Sequence, residues 1–284
     1  MSNAIIKIKK SSGEIVNFDI HKVERSIRRA GITGSQVKFI SKQVANQVRE
    51  GMTTKEIYRI VKNELKKVNV GSVYRYDLKN ALLRLGPAGY KFEKYVASIL
   101  KAYRYDAYNP EYDLQGACVG HEVDVIAERD GRRIFIEAKF RNDFFDFVNL
   151  KDTMATWTRF LDLVDGASLG KCEHFDECWI ITNARFSDRA EKLGVCKGIH
   201  LVGWNFPKEA SFGHMVDNAL LYPLTIINDL TDNELDILAS KDIMLCKEVL
   251  EYEAVDLAEI LGADLQRAEW LIETAKKITT KTPA

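Results

Sequence analysis

Two acidic residues and one lysine lie within a short stretch that is otherwise rich in apolar residues and arginine. The stretch reads EVDVIAERDGRRIFIEAKF and contains Asp124, Glu137 and Lys139. Carboxylate oxygens suit Mg²⁺, which prefers few protein ligands and keeps several of its waters. A metal-polarised water beside an amine can attack a phosphate ester. These residue types therefore indicate metal-assisted hydrolysis of phosphodiesters, provided that the fold brings them together.

A β-hairpin would bring the two acids together. Apolar residues alternate with other residues over positions 123–127 and again over 134–138, and an Asp-Gly pair at 130–131 separates the two runs. Alternation predicts half-buried strands, and Asp-Gly favours a two-residue hairpin turn. The register set by that turn places Asp124 opposite Glu137 on one face of the hairpin.

Two acidic side chains that face each other in this way predict a bound cation between them. Their Cβ atoms would be roughly 5 Å apart, and like charges at that distance repel each other. We expect Mg²⁺ or Mn²⁺ to bind between Asp124 and Glu137, with the carbonyl of Ala138 as a further ligand. Lys139 shares the face and would hold the water or stabilise charge on the attacked phosphate. The alternative is a surface hairpin whose carboxylates are solvated and neutralised by Lys139.

Composition sets the class of protein. The chain has 284 residues, 46% of them hydrophobic, and equal numbers of acidic and basic residues. A chain of this size can bury a large core and divide into two or three domains. Because it lacks an apolar run of about 18 residues and an obvious signal peptide, we expect a cytoplasmic protein. The five scattered cysteines are typical of reduced thiols.

Charge is distributed unevenly along the chain. Residues 1–110 carry 22 Lys and Arg against 9 Asp and Glu, whereas residues 111–224 carry 13 against 19. The last 60 residues carry 6 against 13. A basic first segment suits phosphates, either of nucleotides or of DNA, although a well-solvated helical surface would have the same sign.

The first segment has clear local signals. A Ser-Ser-Gly turn at 11–13 lies between short alternating runs, and Asp19 precedes an apolar helical stripe. Residues 53–56 form a capping box that opens another helix, and a further stripe runs over 74–85. A Gly-Pro pair at 86–87 predicts the end of this domain.

Three pieces of this segment, KKSSGEIVNFDIHKV, GMTTKEIYRIV and VYRYDLKNALLRLG, resemble the ATP-cone, an adenine-nucleotide-sensing domain. The resemblance covers roughly residues 5–85. It implies that Lys9, Lys10 and Lys22 contact phosphates and that Thr54 opens the helix at the nucleotide. ATP or dATP would then be a regulatory ligand. The alternative is a small basic helical domain that binds DNA or another subunit.

The central segment predicts the order helix, hairpin, helix, strand, helix, strand, a mixed sheet flanked by helices. The pieces FEKYVASIL, GHEVDVIAERDGRRIFIEAKF and IITNARFSDRAEKLG resemble the Mrr-type restriction endonucleases of the PD-(D/E)xK superfamily. The resemblance implies that Asp124, Glu137 and Lys139 are the active-site residues. It also makes Glu93, on the first helix, a possible additional ligand or orienting group. The superfamily's proline before the aspartate is replaced here by Val123.

The last segment predicts a small helical bundle, with apolar stripes separated by short polar turns. Its end, LAEILGADLQRAEWLIETAKKI, resembles a helix-hairpin-helix module, which grips the DNA backbone. Because its turn has a single glycine, Gly262, and the segment is acidic, docking to a partner or another subunit is an equal alternative.

Together these features predict an α/β (α+β) multidomain protein. We expect an ATP-cone at 1–87, a restriction endonuclease-like nuclease domain at 88–222 and a helix-hairpin-helix-like domain at 223–284. The expected function is a Mg²⁺-dependent DNA endonuclease controlled by ATP or dATP, with defence against foreign DNA as its role. One metal site per chain would require a homo-oligomer, a dimer or tetramer, to cut both strands. The alternative is a nucleotide-responsive DNA-binding regulator with a non-cleaving nuclease-like fold.

Overall fold

The computed structural model describes residues 6–85, 89–143 and 146–280, with the backbone alone for 89–91. Its contacts gather in two compact units. The first consists of Met1–Ala81 with Leu224–Ala284, and the second of Leu82–Pro223. The predicted domain end at Gly86-Pro87 lies outside the described residues. Within the described ranges, no helix is both long enough and apolar enough to cross a bilayer.

The first unit begins with a short hairpin followed by helices. Its elements are β1 (Lys7–Lys9), β2 (Ile15–Asn17), α1 (Ile20–Arg29), α2 (Gly34–Gln47), α3 (Thr54–Val68), α4 (Val70–Tyr76) and α5 (Leu78–Leu83). The strands pair antiparallel, which confirms the predicted hairpin. Asp19 caps α1 by accepting a hydrogen bond from the His21 amide, and Thr53 and Glu56 form the predicted capping box of α3.

The apolar stripe over 74–85 predicts one helix, but the structure contains two. The break falls at Asp77, whose carboxylate accepts hydrogen bonds from Tyr58, from Lys62 at 3.0 Å and from Asn80. A stripe of apolar residues does not report such a break, since the side chains that bind Asp77 come partly from α3.

The second unit contains a mixed sheet between helices, as the sequence predicts. Its elements are α6 (Gly89–Ala102), β3 (Asp106–Tyr108), β4 (Leu114–Gln115), β5 (Gly120–His121), β6 (Val125–Arg129), β7 (Arg132–Lys139), β8 (Phe147–Val148), α7 (Leu150–Ser168), β9 (Glu177–Thr182), β10 (Arg185–Phe186), α8 (Asp188–Lys197), β11 (His200–Val202) and α9 (Phe212–Ala219). The main sheet has the order β11-β9-β7-β6-β3. Strands β7, β9 and β11 are parallel, and β6 and β3 run antiparallel to their neighbours.

The two faces of this sheet have different partners. Phe135, Cys178 and Ile180 project toward α7 and pack in a core with Phe160 and Leu163. Helix α6 also packs against the sheet, where it contacts β3, β6 and β7. Ring contacts, such as that between Phe92 and Phe212, join α6 to α9. The residues that alternate with Phe135 on β7 therefore face away from α7.

The first unit is completed by the end of the chain, which is helical as predicted. After a 3-10 turn at Leu224–Ile226 come α10 (Asp232–Ser240), α11 (Cys246–Val249), α12 (Ala254–Leu261) and α13 (Leu265–Thr279). Gly262 ends α12 in the left-handed conformation, at φ 61°. Its position between two helices fits the predicted turn, and the helix-hairpin-helix resemblance remains a prediction.

Candidate active site and nucleotide cavity

The hairpin of β6 and β7 has the predicted register. Asp130 and Gly131 adopt φ values of 54° and 74°, and both must be positive in the turn type that Asp-Gly favours. Arg129 pairs with Arg132, and the ladder continues to the pair Val125 and Ile136. The prediction of this register is confirmed as far as Val125 and Ile136, and Asp124 lies one residue beyond the ladder, in a bend.

Asp124 is held at the end of this ladder by the backbone. Its Oδ2 accepts a hydrogen bond of 2.7 Å from the Ala138 amide, and its own carbonyl accepts one of 2.7 Å from Asn109. The side chain therefore turns toward β7, as the shared face requires. Of Ala138 the structure shows the amide engaged with Asp124, and the role of its carbonyl as a metal ligand remains a prediction.

Glu137 is buried, with 2% of its surface exposed. Lys139 Nζ contacts its Oε1, and Arg159 Nη1 donates to its Oε2 at 2.6 Å. A buried carboxylate is costly unless it is paired and hydrogen-bonded, and these two cations supply both. Glu137 is therefore paired on both oxygens and fixed in position between a strand lysine and a helix arginine.

The surroundings of Asp124 disfavour its ionised form. Burial raises its pKa to about 7, with further contributions from Glu137 and Glu93, while the Ala138 amide and Lys139 act in the opposite direction. Removal from water and a neighbouring negative charge both disfavour the ionised carboxylate. A bound divalent cation would reverse that preference.

Glu93 lies half-buried on α6, near the same charges. Burial raises its pKa, and Glu122 and Glu137 raise it further, while Lys139 lowers it. The structure thus brings Glu93 within electrostatic reach of the predicted pair. In the part of the chain that the structure describes, no group of three or more His, Cys, Asp or Glu side chains is arranged to hold a metal. The role of Glu93 as an additional ligand or orienting group remains a prediction.

Arg159 is a residue of this site that the sequence reasoning missed. Besides binding Glu137, its guanidinium contacts the carbonyl of Glu122. It projects from α7, which begins with a capping box between Asn149 and Asp152. The sequence of α7 contains no signal for this contact, because helical spacing does not reveal which strand residue an arginine meets.

The strand end that carries Lys139 is tied to β9. Thr182 Oγ1 donates to the Lys139 carbonyl at 2.6 Å, and Thr182 in turn accepts a hydrogen bond from the Ala184 amide. Just beyond, Arg141 and Asn183 exchange two hydrogen bonds of 2.8 and 2.7 Å. These bonds limit movement of the backbone beneath the lysine.

His121 is engaged elsewhere. Its Nε2 lies 2.8 Å from Asp162 Oδ2, and Asp162 also accepts from the Cys118 and Val119 amides. Burial acts to raise the pKa of Asp162, but the hydrogen bonds from His121 and Cys118 outweigh it and lower that pKa to about 2. The imidazole of His121 is thus bound to Asp162.

A separate cavity of about 230 Å³ lies in the first unit between the hairpin and the helices. Three of the four predicted nucleotide contacts, Lys10, Lys22 and Thr54, line it. Its walls are otherwise largely apolar and include Tyr58 and Tyr76, whose rings stack with centroids 4.9 Å apart. An apolar cavity with cationic side chains and a helix N-terminus at its lining suits a nucleotide base and its phosphates.

The four predicted contacts differ in their surroundings. Lys10 is paired with Glu14 at 2.8 Å, whereas Lys22 is exposed. Lys9 is exposed on β1, and its amide donates to the Met52 carbonyl. Lys9 is outside the lining of this cavity among the described residues, so a contact with phosphate would require its side chain to reach around the strand.

Two family models match the chain. Residues 6–80 match the ATP cone domain, and residues 222–279 match the family described as AF1548-like, C-terminal. The first match shows that the N-terminal segment is an ATP-cone, as the sequence predicts.

Two known proteins are similar over larger parts of the chain. An uncharacterized protein of Archaeoglobus fulgidus is 38% identical over 166 residues, which cover 58% of this chain and 89% of that protein. The crystal structure titled "Protein of Unknown Function AF1548" is 33% identical with a TM-score of 0.56, and the likeness covers 70% of this chain and 98% of the other. The chain therefore belongs to the AF1548-like family and carries an ATP cone domain at residues 6–80.

Proposed function

We propose that the second unit is a Mg²⁺-dependent DNA endonuclease and that adenine nucleotide bound to the ATP-cone controls it. The observations that carry this proposal are the bond from the Ala138 amide to Asp124 at the end of the hairpin ladder and the contact of Lys139 with Glu137. An acid pair that holds a metal, with an amine alongside, is one arrangement that supports metal-dependent phosphodiester hydrolysis.

The side chains fit a hard divalent cation. Asp124 has a pKa raised by burial and by Glu137, so a cation at this pair relieves a repulsion built into the fold. Two carboxylates with water in the remaining positions are what Mg²⁺ accepts in proteins. Asp124 and Glu137 would hold the ion, which when bound polarises a water and the scissile phosphate.

The chain's own residues then have separate roles. Lys139 positions the attacking water and stabilises negative charge on the phosphate, because its ammonium is held beside the acid pair. Arg159 fixes the rotamer of Glu137 and neutralises part of its charge. Glu93, whose pKa is raised by burial and by neighbouring acids, is suited to hold a proton near the reacting groups.

The order of elements supports the proposal. The elements near the acid pair come in a fixed chain order: helix α6, the antiparallel strands β3, β6 and β7, helix α7 and the parallel strand β9. This order resembles the layout of Mrr-type nucleases of the PD-(D/E)xK superfamily, to which the sequence motifs are similar. Cutting both strands of a duplex would need two such sites, so we propose a homo-oligomer acting on foreign DNA.

The experiment compares the purified chain with Asp124→Ala and Lys139→Ala variants on plasmid DNA, with Mg²⁺ or Mn²⁺ and with or without ATP or dATP. We expect cleavage by the parent alone and a change in rate when nucleotide is added. Methylated and unmethylated plasmids and an RNA substrate are included. If the parent cuts none of these substrates, the nuclease proposal is wrong.

One observation favours a second candidate, a nucleotide-responsive DNA-binding regulator. Glu137 is already paired with Lys139 and Arg159, so the site is close to neutral without a metal. A regulator would bind DNA in a nucleotide-dependent way, and Asp124→Ala would leave that binding unchanged. Gel-shift titrations with and without ATP, beside the cleavage assay, separate the two functions.

A further inference from the structure

A second cavity lies in the nuclease-like unit, on the face of the sheet that points away from Asp124 and Glu137. It has a volume of about 640 Å³, within the range typical of small-molecule sites. In the ladder, Ile134 pairs with Glu177, and Trp179 pairs with both Ile136 and His200. The side chains of this row share one face, because the alternating residues, such as Cys178, enter the core under α7.

Flat groups form one wall of this cavity. The rings of Trp179 and His200 lie 4.2 Å apart and are inclined by 33°, and Tyr105 meets Trp179 edge to face at 5.7 Å. The guanidinium of Arg129 lies 3.9 Å from the centre of the Tyr105 ring. Trp179 is 7% exposed, whereas His200 is exposed and lines the cavity. The imidazole therefore offers a ring on which another flat group can stack.

A polar edge lies beside this wall. Glu177 Oε1 accepts from Arg132 and Oε2 accepts from the Trp179 indole, both at 2.9 Å. The bond from Trp179, together with Arg132, holds the pKa of Glu177 below its ordinary value despite partial burial. Each carboxylate oxygen has a second lone pair, and Arg132 has further N–H groups. The edge thus presents an acceptor and a donor side by side.

The opposite wall is fixed by contacts between helices. Tyr103, at the end of α6, donates its hydroxyl to the Met215 carbonyl of α9 at 3.0 Å, and both residues line the cavity. Arg129 donates to the Tyr103 carbonyl from the hairpin side. Since strand, hairpin and helix are joined in this way, the cavity is a preformed part of the fold.

We propose that this cavity binds a nucleobase, stacked on His200 and hydrogen-bonded along its edge to Glu177 and Arg132. Nucleobases are flat and carry neighbouring donors and acceptors, which is the chemistry that the ring wall and the polar edge present together. The site lies in a different unit from the ATP-cone and on the other face of the sheet from the acid pair, so it does not depend on cleavage. The base belongs either to a free nucleotide or to a DNA strand.

The test measures binding of deoxycytidine monophosphate and of a short deoxycytidine oligomer by calorimetry. It uses the full chain carrying Asp124→Ala, without divalent cation, so that no hydrolysis intervenes. Cytosine is chosen because the ATP-cone senses adenine nucleotides. His200→Ala should weaken binding roughly tenfold, in line with the loss of one stacking partner. Arg132→Met, which removes an exposed side chain, should act in the same direction.

Two controls make the result specific. His174→Ala removes an exposed histidine of the same unit that is outside this lining, and this variant should bind as the parent does. A cytosine whose amine is dimethylated keeps the ring but cannot donate to Glu177, so it should bind several-fold more weakly than cytosine.

Each outcome has a defined meaning. Equal affinity for monophosphate and oligomer indicates a free nucleotide as the ligand, whereas tighter oligomer binding indicates a base of a strand. Absence of binding at millimolar concentration would overturn the proposal, and so would binding that both His200→Ala and Arg132→Met leave unchanged. These results do not depend on whether plasmid is cut, so they test the base-binding proposal separately from the nuclease proposal.

Discussion

Arg159 on α7 donates a hydrogen bond of 2.6 Å from Nη1 to Oε2 of Glu137 on β7. The carboxylate that receives it is buried, and its other oxygen contacts Lys139. A helix on one face of the sheet thereby supplies a charge to a strand residue at the predicted site.

Arg159→Met should destabilise the chain by about 2 kcal/mol, because it leaves the buried Glu137 with one cationic partner. Urea unfolding followed by circular dichroism measures the change. Arg189→Met, an exposed position on α8, is the matched control and should have little effect. Equal stabilities of the two variants would show that the pair does not stabilise the fold.

Glu234 should give a pH-dependent contribution to stability. The hydrogen bond from Arg267 is the main cause that lowers its pKa from 4.5 to about 2; partial burial opposes the shift, and Thr231 assists it. Because the folded pKa is below the unfolded value, this stabilisation is present above pH 4.5 and is lost as the pH falls toward 2. Glu234→Gln should therefore cost about 1 kcal/mol at pH 7 and less at lower pH.

Thermal unfolding of Glu234→Gln and of the parent between pH 7 and pH 3.5 tests this sign. Glu269→Gln, an exposed acid on the same helix as Arg267, is the control and should follow the parent at every pH. A gap between Glu234→Gln and the parent that widens on acidification would contradict the assignment.

Arg75 should make the ATP-cone and the C-terminal helices unfold as one body. It is buried in the first unit and donates to the carbonyls of Ala30 at 2.9 Å, Ile278 at 3.0 Å and Thr280 at 3.1 Å. Removing it leaves buried carbonyls unpaired, so Arg75→Met should cost about 2 to 4 kcal/mol. The exposed Arg25→Met is the control.

The readout for Arg75→Met is exchange of amide protons in α13, compared with exchange of amide protons in α1 and α2. In the parent, we expect both signals to report one transition. If the two segments already unfold separately in the parent, Arg75 does not couple them.

Lys22→Ala should weaken ATP binding roughly tenfold or more, since an exposed ammonium at the cavity is a charge-assisted partner for phosphate. Lys42→Ala, an exposed lysine on α2 outside the cavity lining, should leave the affinity unchanged. Calorimetric titration with ATP and dATP provides both affinities. Unaltered binding by Lys22→Ala would remove this lysine from the site.

Local sequence was sufficient wherever one short segment makes its own structure. The Asp-Gly turn requires two positive φ values, which Asp130 and Gly131 adopt. A two-residue turn allows the two strands to pair in only one register. The prediction that Asp124 and Glu137 face each other rests on that register. In the same way, Thr53 and Glu56 cap α3 through bonds within four residues.

Local sequence signals did not predict contacts between segments that are distant in the chain. The stripe over 74–85 did not reveal the break at Asp77, because Tyr58 and Lys62 of α3 bind that carboxylate. Nor did the sequence indicate that Arg75 would bind the carbonyls at the end of the chain.

The sequence by itself determined the hairpin, its register and the ATP-cone, because turn geometry, side-chain alternation and local motifs all act over short distances. The tertiary structure decided that Arg159 is the second cationic partner of Glu137 and that Trp179 and His200 share a wall with Tyr105. Such neighbours depend on how helices and strands far apart in the chain pack together. Periodicity shows which face of an element is buried, and the packing alone shows what that face meets.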